Sequence, residues 1–600
     1  MSEKRDDWRT FRALVEAADK KYARVRDLPP YERGAAHGHL FQKAFKAHMR
    51  LWKFQQVNRQ RLVESGLKRW EIGEIASRIG QLYFSQYMRT SEARFLLEAY
   101  VFYEAILSRK YFEGGKSNDL KVWAKELRFY ARFLLVALIL NHTEKVNKLV
   151  EIFKDVIEDC KATFRETNFR EWKVVVQDIV RFVKVNTTFT SDRPLRYCPA
   201  FDSHSTSIPY VTRFHAKKAL KFREAILTSF HLNEVKFAEL TLDTHRMLQC
   251  LEWEPSGSFY KKQSSDSNGN GGFVDHSGAS GIIEMNLSLD TSDSSLPPNP
   301  RKAILYHPSV THLIAVIATV CEELPPESVV LIYLSAPGKP GQDNASRIES
   351  SGGSSKSSKS IISSETSQER VCSTSGSDID GCKISSNYYR SCLWLGPKGR
   401  GGSNLLYPAD IIPFTRRPLF LIIDSDNSQA FKVIHGAERG EMAALFLSPL
   451  RPSLRKLSDA AHMENMSQFT LFLTAPLLAF QQLAGLSSTD VNPALYSDAS
   501  ILLATEFSAW EVMLCKSNNL DLVWAQVLSD PFIRRLILRF IFCRAVLYFF
   551  CNPKDREDHL PLCLPELPSL FSPESDEVHS TIFHIADKFG VSSYFHFRYT

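Results

Sequence analysis

Residues Leu419–Ser428 read LFLIIDSDNS. An unbroken apolar run ends in Asp424 and passes at once into a polar loop. A strand that alternated apolar and polar residues would face water on one side. A continuously apolar strand is buried on both faces, as in parallel sheets covered by helices on each side. Two other stretches carry the same texture, VVLIYLSA (Val329–Ala336) and MAALFLSP (Met442–Pro449), and Glu224–Phe230 is β-prone. Helical periodicity over 308–324 and near 427–435 separates them. Strands alternating with helices predict a Rossmann-like doubly wound α/β sheet of about four strands.

Working outward, the first 185 residues predict helix almost throughout, over 5–26, 38–64, 68–88, 91–112, 118–141, 143–165 and 168–185. Apolar residues recur at three and four: Ile72, Ile75, Ile79, Leu82 and Tyr83 form one stripe. Pro29-Pro30, Ser65-Gly66, Gly114-Gly115 and Asn141-His142 punctuate the segments, and short connections make neighbours antiparallel hairpins. Gly80 and Tyr83 on one helix, with Phe102 and Ala105 on the next, echo a tetratricopeptide unit, although the repeat runs longer than that motif's period. An ordinary helical bundle remains the alternative. After a Pro- and Ser-rich loop (192–212), a helix is expected over 213–222 and another over about 234–252. The last part returns to helix at 464–486, 492–516, 519–550 and 576–590. Two tracts, 255–299 and 337–390, are rich in Ser, Gly and Asp and bury too little apolar surface to offset chain entropy. The expected organisation is thus an α+α/β chain. A helical-hairpin domain (1–190) is followed by an α/β domain in pieces (191–254, 300–336 and 396–600, the last with the C-terminal helices). Linkers at 255–299 and 337–395 separate the pieces. The tracts read as passive linkers or as sites of phosphorylation.

Composition bounds the function. The 600 residues are 44% apolar and 24% charged, with 74 basic against 67 acidic side chains, a net +7. These values exclude fibrous, disulfide-scaffold and wholly disordered classes. Spread over this length, the charge does not predict a nucleic-acid binder. The eleven cysteines include no C-x-x-C pair, and Cys543, Cys551 and Cys563 with His559 fit no zinc template. Reduced thiols suit cytosol or nucleus. The charged start MSEKRDDWRTFRAL has no secretory h-region. The apolar runs Phe133–Leu140, Leu471–Leu486 and Leu536–Cys551 are too short or too interrupted to span a bilayer and are expected in the core.

Asp424, Asp426 and Ser428 are the candidate site residues, because ligands of open α/β sheets bind beyond the carboxyl ends of strands. Asp424-x-Asp426 after an apolar strand fits the nucleophile and proton donor of a magnesium-dependent phosphotransferase of the haloacid-dehalogenase type, with Ser448 as phosphate-binding hydroxyl. No lysine and acidic pair completes that set. D-x-D-x-S is also close to the D-x-S-x-S metal motif of von Willebrand A domains, from which Asp426 departs. A third reading has Asp424 and Ser428 capping the helix that follows. GPKGRGG (Gly396–Gly402) lacks the phosphate-loop pattern, and no H-E-x-x-H or G-x-S-x-G occurs. Basic residues gather over 43–69 (Lys43, Lys46, Arg50, Lys53, Arg59, Arg61, Lys68, Arg69, interleaved with Trp52, Phe54 and Trp70) and over 213–223 (Arg213, Lys217, Lys218, Lys221, Arg223). Such clusters contact phosphates in some proteins, but more often form a solvated helix face, so direct nucleic-acid binding is not expected.

Seven stretches together carry a resemblance. They are LWKFQQ (Leu51–Gln56), GLKRWEIGEIASRIGQLYFSQYMRTSE (Gly66–Glu92), ELRFYARFLLVALILN (Glu126–Asn141), VKFAELTLDTHRMLQCLE (Val235–Glu252), SVVLIYLSA (Ser328–Ala336), PFTRRPLFLIIDSDNS (Pro413–Ser428) and RFIFC (Arg539–Cys543). In this order they closely resemble the SCAI family (suppressor of cancer cell invasion), from about 40 to 590 and outside the two Ser-rich tracts. The resemblance implies a transcriptional co-regulator of nucleus and cytoplasm. It would repress serum response factor through myocardin-related coactivators, with links to Rho–actin signalling and double-strand-break repair. It supplies no catalytic residues and no cofactor. Animal members read Ser where this chain has Asp426, which places the adhesion-type motif in the relatives more than here. The expectation is a non-enzymatic scaffold that contacts transcription factors or coactivators, its helical half offering a groove to an amphipathic helix. The alternative is a magnesium-dependent phosphotransferase or metal-binding module centred on Asp424 and Asp426.

Overall fold

The computed structural model describes residues 2–28, 35–113, 119–140, 142–164, 169–186, 219–230, 241–251, 285, 299–338, 392–398, 402–451, 467–486 and 492–597. The expected linkers and the loop 192–212 therefore lie outside the described residues, as do most of the helix expected over 213–222 and the start of the one expected from 234.

The N-terminal part is helical, as its periodicity predicts: α1 (Ser2–Arg26), α2 (Ala35–Val57), α3 (Arg59–Glu64), α4 (Arg69–Thr90), α5 (Ala93–Ser108), α6 (Leu120–Ile139), α7 (Thr143–Thr163) and α8 (Arg170–Asn186). The expected helix over 38–64 is two helices, parted at Asn58. Gly66, at φ +105°, makes the left-handed turn after α3, and α4 begins where the Glu71 carboxylate accepts the Lys68 N–H at 2.9 Å. Ser91, in the left-handed conformation, ends α4, and α5 starts two residues later, so the two helices pack as a hairpin. The stripe Ile72, Ile75, Ile79, Leu82 and Tyr83 is buried in this hairpin core. A Cβ on Gly80 would stand 2.9 Å from the Tyr103 ring, so only glycine permits the two helices this approach. Tyr83 packs on Phe102, with ring centroids 5.9 Å apart. The pairs α1–α2, α6–α7 and α7–α8 pack in turn.

The α/β part is built on a six-stranded sheet. Its strands are β1 (Lys221–Ser229), β2 (Arg301–Tyr306), β3 (Ser328–Ser335), β6 (Leu419–Asp424), β7 (Ala444–Leu447) and β8 (Leu562–Leu564), in the order β2-β1-β3-β6-β7-β8. All neighbours are parallel except β8, which runs antiparallel to β7. A separate antiparallel pair, β4 (Leu393–Lys398) and β5 (Gly402–Leu406), takes in the two ends of GPKGRGG, whose residues 399–401 lie outside the described residues. Helices complete the part: α9 (Leu242–Leu251), α10 (Val310–Glu323), α11 (Pro408–Ile411), α12 (Gln468–Thr474), α13 (Pro476–Leu483), α14 (Pro493–Lys516), α15 (Leu522–Val527), α16 (Pro531–Phe550) and α17 (Asp576–Lys588).

Both faces of the sheet are covered, which is why its central strands β3, β6 and β7 are almost wholly apolar. Leu227, Leu331, Tyr333, Phe420, Ile422 and Phe446 share one core with α9, α12 and α16. Ile226, Ile332, Leu334, Leu421, Ile423 and Leu447 face the other way, onto Leu313, Ile317 and Val320 of α10 and onto Phe431 and Ile434. The helical part packs through α4 against the edge strand β2, where the Lys302 ammonium lies 4.8 Å from the centre of the Tyr87 ring. That contact covers an edge that would otherwise template aggregation.

Four expectations need correction. The sheet has six strands rather than about four, because β2 and the three-residue β8 were not read from the sequence. The helix expected over 213–222 gives way at Lys221 to strand β1. The helices expected over 464–486 and 519–550 are each split, by prolines at the first positions of α13 and α16 that have no N–H to continue a preceding helix. Finally, β1 is flanked by the second and third strands among the described residues, whereas the dinucleotide-binding sheet flanks its first strand with the second and fourth. The double cover and parallel strands are as expected; the strand order is not that of a Rossmann sheet. Among the described residues no helix is long and apolar enough to cross a membrane, and the eight described cysteines are buried free thiols.

Candidate functional site

At the carboxyl edge of the sheet the register aligns Tyr306, Ser229, Ser335 and Asp424 in one row across β2, β1, β3 and β6. The chain places β2 and β3 on opposite sides of β1, which makes this edge the switch point where an open α/β sheet offers a crevice. Here the first turns of α9 and α12 roof it. Thr241 and Thr244 cap α9 reciprocally: each hydroxyl accepts the other's backbone N–H, at 2.8 and 3.1 Å. The Thr241 hydroxyl also bonds the Ser229 hydroxyl at 2.7 Å, tying α9 to the end of β1. Ser467 caps α12, and its own N–H donates to both carboxylate oxygens of Asp243, at 3.0 and 3.3 Å.

Asp424 points into this roofed space and is 8% exposed; Asp243 is 1% exposed. The Thr470 hydroxyl donates to Asp424 Oδ2 at 2.6 Å, and the Tyr333 hydroxyl lies 2.7 Å from Thr470 Oγ1. A threonine has one proton, so with Asp424 ionised the order runs from Tyr333 to Thr470 to Asp424. Burial raises the Asp424 carboxyl above its ordinary range, while the Ser467 and Thr470 hydroxyls pull it down. Asp243 is pushed up to about 8, by burial first and by the Asp424 charge second, against the Ser467 N–H and the nearby Arg246 guanidinium. The arrangement favours a protonated Asp243 near the Asp424 charge in an enclosed space, and it fastens three separate segments, β6, α9 and α12, to one another.

The three candidate residues are sent different ways. Asp426 is exposed, and its Oδ1 accepts the Gly338 N–H at 2.6 Å and the Ser425 hydroxyl at 3.2 Å. Ser428 is buried and donates to the Ser448 carbonyl at 2.6 Å. The Ser448 hydroxyl is spent on the loop itself, accepting the Ser425 N–H at 2.9 Å and donating to the Ser425 carbonyl at 2.8 Å. The capping reading is corrected: a 3-10 turn over Ser428–Ile434 follows Asn427 and has no side-chain cap, because Asp424 and Ser428 are engaged elsewhere. Among the described residues no group of three or more His, Cys, Asp and Glu is arranged to hold a metal ion.

The loop has another structural consequence. Asp426 holds Gly338, Asn427 Nδ2 donates to the Cys392 carbonyl at 3.2 Å, and Gly338 bridges Leu393. Gly338 and Cys392–Leu393, well separated along the chain, therefore lie side by side, and the DSDNS loop bonds both. A Cβ on Gly338 would come within 2.8 Å of the Asn427 Cβ, so the clasp needs glycine there.

Sequence reading missed Asp243, Ser467, Thr470 and Tyr333. Two signals were present: the T-x-x-T of Thr241–Thr244 and the S-x-x-T of Ser467–Thr470 both mark helix starts. Their convergence on Asp424 is a tertiary fact that spacing does not carry.

Fold and site define a class: a helical-hairpin part docked on the edge of a doubly covered, mostly parallel sheet, whose strand-end Ser229 and Asp424 are bonded to the first turns of two roofing helices. The SCAI family profile, described as "Protein SCAI", matches residues 13–553. The chain is similar to Protein SCAI of Homo sapiens and of Mus musculus, 31% identical to each over 595 residues, 98% of this chain and 89% of those proteins. It is 25% identical to the Protein SCAI homolog of Dictyostelium discoideum, over 91% of this chain and 85% of that one. No solved structure matches. The chain belongs to the SCAI family.

Proposed function

We propose that this chain is a corepressor-type transcriptional co-regulator of the nucleus and cytoplasm that acts by protein–protein contact and not by catalysis. The observation that carries the reading is family membership over 13–553, nearly the whole chain. The partners are transcription factors or coactivators, with Rho–actin-responsive transcription and double-strand-break repair as the processes served. The strand-end geometry is consistent with this: Asp424 and Ser448, the groups a phosphotransferase would need free, are bonded to Thr470 and to the Ser425 backbone. Asp426 lies outside the space that holds Asp424, so the phosphotransferase alternative gains nothing from the arrangement. The test is a transcription reporter with the full chain fused to a heterologous DNA-binding domain. Reporter output falls if the reading holds. Unchanged output with the fusion expressed, folded and nuclear would count against it.

A further inference from the structure

The outer face of α2 has a composition that packing does not explain. Residues 35–57 contain no Asp or Glu, yet carry Lys43, Lys46, Arg50 and Lys53. At about 100° per residue, these four with Val57 fall in an arc of about 80°, and adding Gln42 and Met49 widens it to about 120°. All seven are exposed, while Phe41, Ala44, Phe45, His48, Leu51, Trp52 and Gln55 on the opposite face are buried. Three neighbouring cations are already engaged. Arg61 pairs with Asp7 at 3.0 Å, Arg59 donates to Tyr111, and Arg69 donates to the Arg109 carbonyl. Lys43, Lys46, Arg50 and Lys53 have no ion-pair partner among the described residues.

The same arc is apolar in places. Val57 is 74% exposed and Met49 36%. A phosphate backbone has nothing to set against them. The aromatics that interleave the basic residues are not offered to bases either: Trp52 packs on Phe102 at 5.6 Å, and Trp70 is covered by the Lys125 ammonium at 4.5 Å. Single-strand binders stack bases on exposed rings, which this face lacks. A helix or extended segment bearing carboxylates at three- and four-residue spacing, with aliphatic side chains between, matches both the charge and the apolar spots.

We infer that the exposed face of α2 docks an acidic, aliphatic-rich peptide segment of a protein partner. The inference deepens the proposed function, since it rests on the chain working through protein contacts, and it names the chemistry of one of them. The test is fluorescence anisotropy of the full chain with a labelled synthetic peptide carrying Glu at three- and four-residue spacing and Leu between. Controls are the same peptide with Gln for Glu, and single-stranded and duplex DNA of mixed sequence. The Glu peptide binds the native chain, the Gln peptide does not, and affinity falls as salt rises from about 50 to about 200 mM. Replacing Lys43, Lys46, Arg50 and Lys53 together by Glu weakens binding about tenfold or more, and replacing them by Gln gives a smaller loss. Met49→Ser with Val57→Ser weakens it several-fold with the charges intact. All variants keep the native melting midpoint to within a few degrees, because the altered side chains lie on the exposed face. Absence of Glu-peptide binding, equal binding by the charge-reversed chain, or DNA bound more tightly than peptide and lost in the same variant would each overturn the inference. Failure of the peptide to bind while the tethered chain still represses the reporter removes this surface and leaves the proposed function standing. Failure of the reporter alone does the reverse.

Discussion

Asp243 is fully enclosed beside a second carboxylate, with an N–H and a guanidinium for relief. In the unfolded chain it titrates in the ordinary carboxylate range; in the folded chain it holds its proton up to about 8. The folded state therefore binds the extra proton between those limits, and its stability falls as pH rises from about 4 through about 8. Each tenfold difference in proton affinity between the folded and unfolded chain is worth about 1.4 kcal/mol. Asp243→Asn keeps an acceptor for the Ser467 N–H and has nothing to titrate. Its melting midpoint, followed between about pH 5 and about pH 8, declines less steeply than that of the native chain. A parallel decline in both would show that Asp243 is not the titrating group. Thr470→Val removes the hydroxyl between Tyr333 and Asp424 and strands two buried polar groups, at a cost of ~1–3 kcal/mol in urea denaturation.

The elements are held apart and together by single residues. The approach of α4 to α5 depends on Gly80, against which Tyr103 lies flat and fully buried. Gly80→Val forces the two helices apart and destabilises by ~1–3 kcal/mol, with hydrogen exchange rising first in α4 and α5. An unchanged midpoint would mean that Tyr103 moves aside without strain. The hairpin was legible in the sequence because the stripe from Ile72 to Tyr83 and the breakers around it repeat a local period. The buried strands were legible because a doubly covered sheet leaves no polar alternation in Val329–Ser335 or Leu419–Ile423. Strand β8 was not, since LCL between Pro561 and Pro565 becomes a strand only by pairing with β7, a contact made across more than a hundred residues. Likewise Arg301–Tyr306 has a mixed pattern because β2 lies at an edge that α4 covers. The site was half legible. The position of Asp424 at a strand end followed from the run before it. Its partners did not, because Asp243, Ser467 and Thr470 come from helices far away in the chain.

On the scale of the whole molecule, one design recurs: polar groups at the sheet's carboxyl edge are turned inward and bonded, and free charge is displayed on the outer face of α2. The edge fastens α9, α12 and β6, and its loop holds Gly338 beside Cys392–Leu393. The helical part meets the sheet through α4 and β2, with Tyr87 and Lys302 at the contact. On the proposed function, the chain presents surfaces around this fastened core, and Asp243 and Asp424 hold β6, α9 and α12 together. Asp424→Asn separates this account from one in which Asp424 reacts, because the amide still accepts the Thr470 hydroxyl but has no nucleophilic carboxylate. The decisive measurement is repression of the tethered reporter by the full-length Asp424→Asn chain, with its melting midpoint recorded alongside. The account predicts repression equal to that of the native chain; a folded Asp424→Asn chain that no longer represses would contradict it.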